Sequence, residues 1–483
     1  MKTKPEILFA AFEATPFMKT GGLGDVAGSL PKALLSAGAD VRLILPKFGT
    51  IAEKYKKKME HVADFYLDLS WRHQYCGVET MKLGRLTCYF IDNEFYFKRG
   101  RAYGYGDDGE RVAFFSKAVL EALKYIQDFR PRILHCNDWH TALIPVFLRS
   151  QYAGISRYDG IKTVFTVHNL KFQGIYPQWL TGEVLGLDSE QARHMGMFYD
   201  DTVNFLRGAL CTSDVLTTVS PTYAEEICTA FYGERAQDIF NSRRGDLYGI
   251  LNGIDVKQYD PMTDKNLFAP FSAADLSGKR ENKLALQRQL GLEEDPDIPL
   301  LGLVSRLTEQ KGLDLLVWIL AELIGEGVQL VVLGLGDEKY ENSFRSMAAA
   351  APDRMAALIT FDEPLSHKLY AACDMMLVPS LFEPCGLTQM IAMRYGTLPV
   401  VRETGGLKDS VIPYNKYTGE GNGFSFANYN AHELLFTLKD AVQVYRENKA
   451  AWAGMVQNAM AADFSWAVSA AKYMELYRKL LQA

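Results

Sequence analysis

The segment 380–389, Ser-Leu-Phe-Glu-Pro-Cys-Gly-Leu-Thr-Gln, carries residue types that can hold a sugar or a phosphate. It follows the apolar run 375–378 and opens a further apolar stretch, so Glu383 and Gly386 lie at a predicted strand-to-helix corner. A carboxylate there can bind sugar hydroxyls, and the glycine leaves backbone N–H groups for a phosphate. Alternatively, Glu383 only caps the helix, since the positive end of the helix dipole favours an acidic side chain.

A second segment, Ser-Arg-Leu-Thr-Glu-Gln-Lys-Gly, has the cations that a diphosphate requires. Arg306 and Lys311 follow the apolar run 300–304 directly. The forked guanidinium and the compact ammonium can converge on one diphosphate from such a turn. A surface ion pair with Glu309 is the alternative, but the position at the end of a predicted strand favours contact with a ligand.

A glycine pair occurs twice, each time between a predicted strand and a helical pattern. The first copy, in Lys-Thr-Gly-Gly-Leu, places Lys19 next to Gly21 and Gly22, whose backbone N–H groups can face an anion. The second copy, at 404–407, is Thr-Gly-Gly-Leu. Two ordinary strand-to-helix turns are the alternative, and we favour a functional role only for the first copy, because of its lysine.

Polar side chains that can bind hydroxyl groups follow two further predicted strands. Asp138 begins an Asp-Trp-His sequence, and His168 follows the apolar run 163–167. Each can orient a sugar hydroxyl, although a structural role is the more common outcome for an isolated residue of this kind. A metal site at His135 and His140 is disfavoured because no third ligand has suitable spacing.

Aromatic residues are dense at 95–97 and at 103–105. Tyrosines separated by glycine in the second cluster suit stacking on a sugar or a base. For Phe95 and Phe97, burial in the core is the simpler interpretation.

Several catalytic motifs are absent from the sequence. There is no G-x-S-x-G elbow and no G-x-x-x-x-G-K-[ST] loop, so acyl hydrolysis and P-loop chemistry have no support. The Gly-Leu-Gly at 334–336 lacks the third glycine of a dinucleotide-binding fingerprint.

The elements that must position these residues alternate between short apolar runs and longer helical patterns, which is typical of parallel βαβ units. Strands are predicted at 7–11, 41–45, 87–91, 133–136, 163–167, 215–219, 300–304, 329–333, 375–378 and 398–401. A polar stretch at about 260–299 separates two series and contains a predicted helix at 279–290. The sequence therefore predicts an α/β protein of two similar halves that face each other across a cleft.

Composition excludes several classes of protein. The chain has 483 residues, 48% of them hydrophobic, and a net charge of −6, which excludes a disordered chain and argues against a broad nucleic-acid interface. Seven scattered cysteines without a C-x-x-C pair indicate reduced thiols. The first apolar run is too short for a signal peptide or a membrane span, so we expect a cytoplasmic protein without membrane attachment.

Taken together, eight segments resemble the bacterial glycogen synthases and plant starch synthases along nearly the whole chain. They are Lys-Thr-Gly-Gly-Leu at 19–23, Asp-Trp-His at 138–140, Thr-Val-His-Asn at 166–169, Thr-Val-Ser-Pro-Thr-Tyr at 218–223, Leu-Asn-Gly-Ile-Asp at 251–255, the basic segment at 305–312, Phe-Glu-Pro-Cys-Gly-Leu at 382–387 and Thr-Gly-Gly-Leu at 404–407. The resemblance implies the GT-B fold of two Rossmann-like domains, here 1–255 and 256–466, with a helix at 467–483 that crosses back to the first domain.

The same resemblance implies retaining transfer of glucose from ADP-glucose to the non-reducing end of an α-1,4-glucan such as glycogen, without a metal or another cofactor. It implies catalytic roles for five residues: Glu383, Arg306, Lys311, His168 and Asp138. It implies substrate binding by a further set: Lys19, Gly21, Gly22, Tyr96, Asn252, Phe361, Cys385, Gly386, Leu387 and Thr388. Phe361 would contact the adenine at a position where the family commonly has tyrosine.

The chain departs from the family pattern at two further positions. Leu381 stands where an arginine is usual, which removes a cation near the site, and Tyr259 replaces a usual tryptophan. Two other functions stay open at this point. One is a GT-B glucosyltransferase that uses UDP-glucose, such as a sucrose synthase, and the other is a glucan-binding protein without turnover. A phosphorylase would require a pyridoxal-binding lysine and a much longer chain.

Overall fold

A computed structural model describes residues 4–482, which form two compact α/β units. The first unit contains residues 4–253 together with 466–482, and the second contains Ile254–Ser465. The chain therefore passes from the first unit into the second and returns for its last helix.

The first unit is built around a large sheet with helices on its faces. Its strands are β1 (Glu6–Ala10), β2 (Asp40–Pro46), β3 (Glu60–Leu69), β4 (Arg72–Leu83), β5 (Leu86–Asp92), β6 (Ile133–Asn137), β7 (Lys162–Val167), β8 (Ile175–Pro177), β9 (Phe198–Tyr199), β10 (Thr202–Asn204), β11 (Val215–Thr218) and β12 (Leu247–Gly249). Its helices up to residue 253 are α1 (Gly22–Ser36), α2 (Glu53–Lys56), α3 (Glu94–Phe97), α4 (Asp108–Ala122), α5 (Leu143–Arg149), α6 (Ser189–His194), α7 (Phe205–Thr212), α8 (Pro221–Glu226) and α9 (Gln237–Ser242). Short helical turns lie at Trp139–Thr141, Thr181–Leu185 and Arg244–Asp246.

The main sheet of the first unit has the order β12-β11-β7-β6-β1-β2-β5-β4-β3, and β8, β10 and β9 form a small separate sheet. The strands from β12 to β5 pair in parallel, whereas β4 and β3 add an antiparallel edge. Strand β1 is central, with Ile7 paired to both Val41 and Ile133. Its apolar residues are fully buried, as expected for a parallel strand covered on both faces.

The second unit contains a six-stranded parallel sheet, ordered β15-β14-β13-β16-β17-β18. Its strands are β13 (Leu300–Val304), β14 (Gln329–Leu333), β15 (Met355–Leu358), β16 (Met375–Val378), β17 (Leu398–Arg402) and β18 (Phe424–Phe426). Its helices are α10 (Ser277–Leu290), α11 (Leu313–Gly325), α12 (Glu338–Ala350), α13 (Glu363–Ala372), α14 (Thr388–Arg394), α15 (Gly405–Ser410), α16 (Ala431–Glu447) and α17 (Lys449–Ala461), and a 3-10 turn spans Glu309–Lys311.

The strand order of the second unit decides where a ligand can bind. Counted within the unit it is 3-2-1-4-5-6, the doubly wound Rossmann order. The order reverses between β13 and β16, because the chain leaves these neighbouring strands toward opposite sides of the sheet. In open parallel sheets, ligands bind outside the carboxyl ends of the strands at this switch point. The basic segment and Glu383 follow these two strands.

The last helix, α18 (Trp466–Leu480), belongs to the first unit. It packs on α1, and the Tyr477 hydroxyl lies 2.7 Å from Nδ1 of His135 in β6. The Ser469 hydroxyl donates to the carbonyl of Leu251 over 2.6 Å. These buried contacts fasten the returning chain to the large sheet.

The predicted parallel strands are confirmed, each within one residue at either end. The predicted helix at 279–290 is confirmed as α10, which begins at Ser277. The sequence did not predict the edge strands β3 and β4, because neither contains a continuous apolar run, and β3 alternates between buried and exposed residues. Within residues 4–482, no helix has both the length and the apolar character needed to cross a bilayer.

Candidate functional site

The basic segment of the second unit turns sharply as it leaves β13. Gly312 has a φ of +69°, and a Cβ on this residue would come within 1.9 Å of the Pro379 carbonyl oxygen. Glycine therefore allows the segment to lie directly against the loop that follows β16. The Leu381 N–H donates to the Gln310 carbonyl over 2.9 Å, which joins the two loops further.

This close approach brings Lys311 to Glu383. Lys311 Nζ donates to Glu383 Oε2 over 2.5 Å, and the Ser380 hydroxyl donates to the same oxygen over 3.2 Å. Glu383 is only 7% exposed. A carboxylate buried to this extent requires partners, because an isolated charge is costly to remove from water. An ammonium and a carboxylate are thus held side by side at the switch point.

A pocket opens above this pair at the carboxyl ends of β13 and β16. Its lining residues are Leu303, Val304, Ser305, Lys311, Leu377, Val378, Pro379, Ser380, Glu383, Gly386, Leu387 and Thr388. The start of α14 is part of this wall, and Leu387 at its N-cap position supplies no capping side chain. The pocket therefore combines a cation, a carboxylate and a helix start whose backbone N–H groups suit an anion.

Three other predicted residues of the second unit lie outside that lining. Arg306 is exposed at the end of β13, and within residues 4–482 it forms no ion pair with Glu309. Cys385 is buried in the turn before α14. Phe361 is 82% exposed in the connection between β15 and α13. Its ring is therefore available for stacking against a flat ligand.

The second glycine pair supports the loop that carries Glu383, a role that the sequence reasoning missed. Gly405 has a φ of +43°, and a Cβ there would lie 2.1 Å from the Glu383 carbonyl oxygen. A Cβ on Gly406 would lie 2.1 Å from the Cys385 carbonyl oxygen. Arg402 at the end of β17 donates to the carbonyls of Ser380, over 2.8 Å, and Leu381. The Arg402 guanidinium thus holds the backbone of the loop that carries Glu383.

In the first unit, the Lys-Thr-Gly-Gly loop opens α1. Gly21 is the N-cap residue, and no side chain caps the first turn. Apart from chain neighbours and the backbone of α1 itself, no described atom lies within 4 Å of the positions that a Cβ would take on Gly21 or Gly22, and both residues are exposed, so a ligand can approach this helix start. Lys19 Nζ pairs with Asp25 over 2.7 Å at the same helix start. This loop is the second anion-binding candidate.

Asp138 and His168 lie next to each other at the carboxyl ends of β6 and β7. Asp138 has a φ of +58°, a sparsely populated conformation for a residue with a Cβ. Its Oδ1 accepts the His168 N–H over 2.7 Å. Burial raises the pKa of Asp138 to about 7 despite this hydrogen bond. The carboxyl group can therefore exchange a proton near neutral pH.

The histidine is neutral, and its tautomer follows from its neighbours. Burial lowers the pKa of His168 to about 3. Asn137 Nδ2 donates to the Ala10 carbonyl over 3.0 Å, so Asn137 Oδ1 accepts, and it lies 3.0 Å from His168 Nε2. This geometry places the proton on Nε2. His168 Nδ1 can then accept a hydrogen bond, for example from a sugar hydroxyl.

Two aromatic expectations need correction. Tyr96 is wholly buried in α3 and donates its hydroxyl to Glu110 over 2.6 Å, so it does not line an open pocket. Phe95 was expected in the core but is 66% exposed, whereas Phe97 is buried. In a four-residue helix, alternate residues face opposite directions, and only one of these two phenylalanines can point inward.

Asn252 is buried near the end of the first unit, and its Oδ1 atom lacks a hydrogen-bond partner among residues 4–482. An unpaired buried acceptor is uncommon in a folded protein and calls for an explanation. Within the part of the chain that the structure describes, no three histidine, cysteine or acidic side chains come together as metal ligands would.

Comparisons with known proteins agree with this architecture. The chain matches the family models for the starch synthase catalytic domain over residues 6–242 and for glycosyl transferases group 1 over residues 285–452. It is 51% identical to a glycogen synthase of Geobacillus stearothermophilus, over 99% of this chain and 98% of that protein. A glycogen synthase of Clostridium novyi is 50% identical over 98% and 99% of the two chains.

Solved structures show the same relationship. The catalytic domain of starch synthase IV from Arabidopsis thaliana, bound to ADP and acarbose, superposes with a TM-score of 0.91 at 36% identity over the full length of both chains. Sucrose-phosphate synthase from Thermosynechococcus elongatus has a TM-score of 0.62 at 18% identity, over 99% of this chain and 100% of that one, which indicates a shared fold. The chain is thus a hexosyltransferase with the two-domain GT-B fold, and it belongs to the bacterial glycogen synthase and plant starch synthase family.

Proposed function

We propose that the protein transfers glucose from ADP-glucose to the non-reducing end of an α-1,4-glucan and retains the anomeric configuration. The observation that carries this proposal is Lys311 beside Glu383 in the pocket at the switch point. A leaving diphosphate needs a fixed cation, and a sugar needs a buried carboxylate to accept its hydroxyls. The relatives named glycogen synthase support the glucan acceptor, and the ADP in the starch synthase IV structure supports the donor.

In this proposal the donor's diphosphate is held by cations and backbone N–H groups. Arg306 and Lys311 bind its oxygens, and the N–H groups of Gly386, Leu387 and Thr388 receive the distal phosphate. Lys19 and the amides of Gly21 and Gly22 contribute from the other anion-binding loop. The exposed ring of Phe361 stacks on the adenine.

The glucose ring is held through its hydroxyls. Glu383 accepts from hydroxyl groups on one side, next to the turn that contains Cys385. His168 accepts a further hydroxyl at Nδ1, and Asn252 uses its unpaired Oδ1 in the same way. Asp138 positions the acceptor or the sugar.

The reaction then follows from where charge develops. The bond between the anomeric carbon and the phosphate oxygen breaks, which builds negative charge on the diphosphate and positive charge on the sugar ring. Lys311 and Arg306 would stabilise the negative charge on the diphosphate, since cations held in position before the reaction need no rearrangement. The acceptor hydroxyl attacks from the same face, and its proton passes to the departing phosphate oxygen. Retention therefore needs no separate general base.

Replacement of Arg306 tests the diphosphate assignment without disturbing the fold, because its side chain is exposed and makes no ion pair with Glu309. We expect Arg306→Ala to lower kcat by about 10²- to 10³-fold, the usual loss when one transition-state donor is removed. Turnover is measured as ADP release with glycogen as acceptor. An Arg306→Ala enzyme with near-normal kcat would contradict the assignment.

A further inference from the structure

A buried carboxylate directly beneath the Lys-Thr-Gly-Gly loop has no place in the mechanism above. We propose that Glu13 is a positioning residue that holds this loop in the form that binds the donor's phosphates. The inference rests on the proposed function, because it takes the loop to be a phosphate-binding element. Glu13 itself would touch neither donor nor acceptor.

The carboxylate of Glu13 binds the loop through both of its oxygens. Oε2 accepts the Thr20 N–H over 2.5 Å, and Oε1 accepts the Thr20 hydroxyl over 2.6 Å. The Tyr103 hydroxyl also donates to Oε1, over 2.8 Å, and it contacts the Thr20 hydroxyl as well. Three donors from two separate loops therefore converge on one side chain.

The burial of Glu13 makes its hydrogen-bond partners important. Glu13 is 2% exposed, and within residues 4–482 it forms no ion pair. A carboxyl group buried to this extent requires hydrogen-bond partners, and Thr20 and Tyr103 supply them. Such a residue is expected where local order is more important than stability.

The same hydrogen bonds fix the backbone directly before the two glycines. Glu13 holds the Thr20 N–H, and Thr20 is followed by Gly21, the N-cap residue of α1. If the carboxylate were lost, the Thr20 N–H would lose its acceptor, and the Thr20 hydroxyl would be left with its contact to the Tyr103 hydroxyl. The start of α1 would then be free to fray, since no side chain caps its first turn.

Glu13 also connects the loop to the glycine- and tyrosine-rich segment at 100–107. Tyr103 comes from that segment, and Asp108 fixes it locally by accepting the N–H groups of Gly104 and Tyr105 over 2.6 and 3.0 Å. The segment is therefore ordered by α4 on one side and by Glu13 on the other. Glu13 thus links the donor-binding loop to a segment that Asp108 at the start of α4 also holds.

The test is steady-state kinetics of Glu13→Gln in the full-length enzyme, with Glu60→Gln, an exposed residue of β3, as the matched control. The amide keeps the shape but replaces one of the two acceptor oxygens by a donor. We expect kcat/KM for ADP-glucose to fall about 10- to 100-fold, the loss expected for hydrogen bonds to a charged group. The KM for glycogen stays within about twofold, and the thermal midpoint is unchanged or higher.

The variant Thr20→Val and amide hydrogen exchange keep the role of Glu13 testable even if Glu13→Gln does not fold. Thr20→Val removes one donor and should reproduce part of the loss if Glu13→Gln does not fold. Amide hydrogen exchange of a peptide spanning 14–30 should be faster in Glu13→Gln than in Glu60→Gln, with or without activity. Wild-type protein that does not turn over any glucosyl donor would sink the proposed function alone. Unchanged exchange together with unchanged donor kinetics would overturn the role of Glu13. A lower thermal midpoint together with equal increases in the KM for ADP-glucose and the KM for glycogen would also overturn it.

Discussion

The ion pair between Lys311 and Glu383 allows a functional role to be separated from a structural one. Lys311→Met removes the ammonium but keeps a long side chain. The lysine and glutamate side chains are 18% and 10% exposed. Breaking a fully buried pair costs about 3 to 5 kcal/mol, and partial solvation with the remaining Ser380 hydrogen bond reduces this to about 2 kcal/mol. For a unit of this size the thermal midpoint should fall by about 4–8 °C.

The double variant Lys311→Met/Glu383→Gln provides the comparison. Removal of both charges leaves no buried carboxylate unpaired, so we expect most of the lost stability to return. Turnover should remain about 10²- to 10³-fold below wild type in both variants, because the cation that meets the leaving diphosphate is absent. Lys416→Met, in an exposed loop of the same unit, is the control for loss of a surface charge.

The assays are calorimetry for the midpoint and ADP release for turnover. Activity that recovers together with stability in the double variant would refute the reasoning, since Lys311 would then serve only to neutralise Glu383. A double variant that is no more stable than Lys311→Met would refute the structural role of the pair, because the unpaired carboxylate would then not be the cause of the lost stability.

Two further predictions concern Asp138 and Gly405. Burial raises the pKa of Asp138 to about 7, so its protonated form stabilises the fold at low pH and this contribution is lost as pH rises through 7. Urea denaturation gives the free energy of unfolding of wild type and of Asp138→Asn. The value for wild type minus the value for Asp138→Asn should therefore decrease between about pH 5 and 7 and be constant above about pH 8. A rise of this difference with pH would contradict the effect of burial on Asp138. Gly405→Ala places a Cβ against the Glu383 carbonyl oxygen at a positive φ, and should destabilise the protein by about 2–4 kcal/mol with loss of activity. Gly454→Ala, in α17 with no atom nearby, should instead be neutral or stabilising, and equal effects of the two alanines would contradict the close contact.

The sequence predicted the parallel strands well because they are buried on both faces and read as unbroken apolar runs. It did not reveal β3 and β4, whose outer faces carry residues such as Asp64 and Tyr66. An alternating pattern of this kind needs a search at a period of two. The short strand β15 was not predicted because its Met-Ala-Ala-Leu sequence resembles the Met-Ala-Ala-Ala with which the preceding helix ends.

The site was predictable as separate segments but not as an assembly. Lys311 and Glu383 are 72 positions apart, and they meet only because β13 and β16 are neighbours in the sheet. Strand order depends on tertiary packing, which spacing along a chain does not show. The support by Gly405 was missed for the same reason. Glu13 was missed because a single charge after an apolar run is typical of an exposed loop residue. The informative signal was its position close after β1, whose apolar residues are fully buried.

The central claim is the transfer of glucose from ADP-glucose to an α-1,4-glucan, and one measurement tests it most directly. The purified protein is incubated with glycogen and glucose-labelled ADP-glucose, and separately with labelled UDP-glucose. The polymer is then digested with an enzyme specific for α-1,4 linkages. We predict that label from ADP-glucose enters the polymer, that ADP is released in equal amount, and that the digestion frees the label. Incorporation only from UDP-glucose, label that resists the digestion, or no incorporation from either donor would contradict the account.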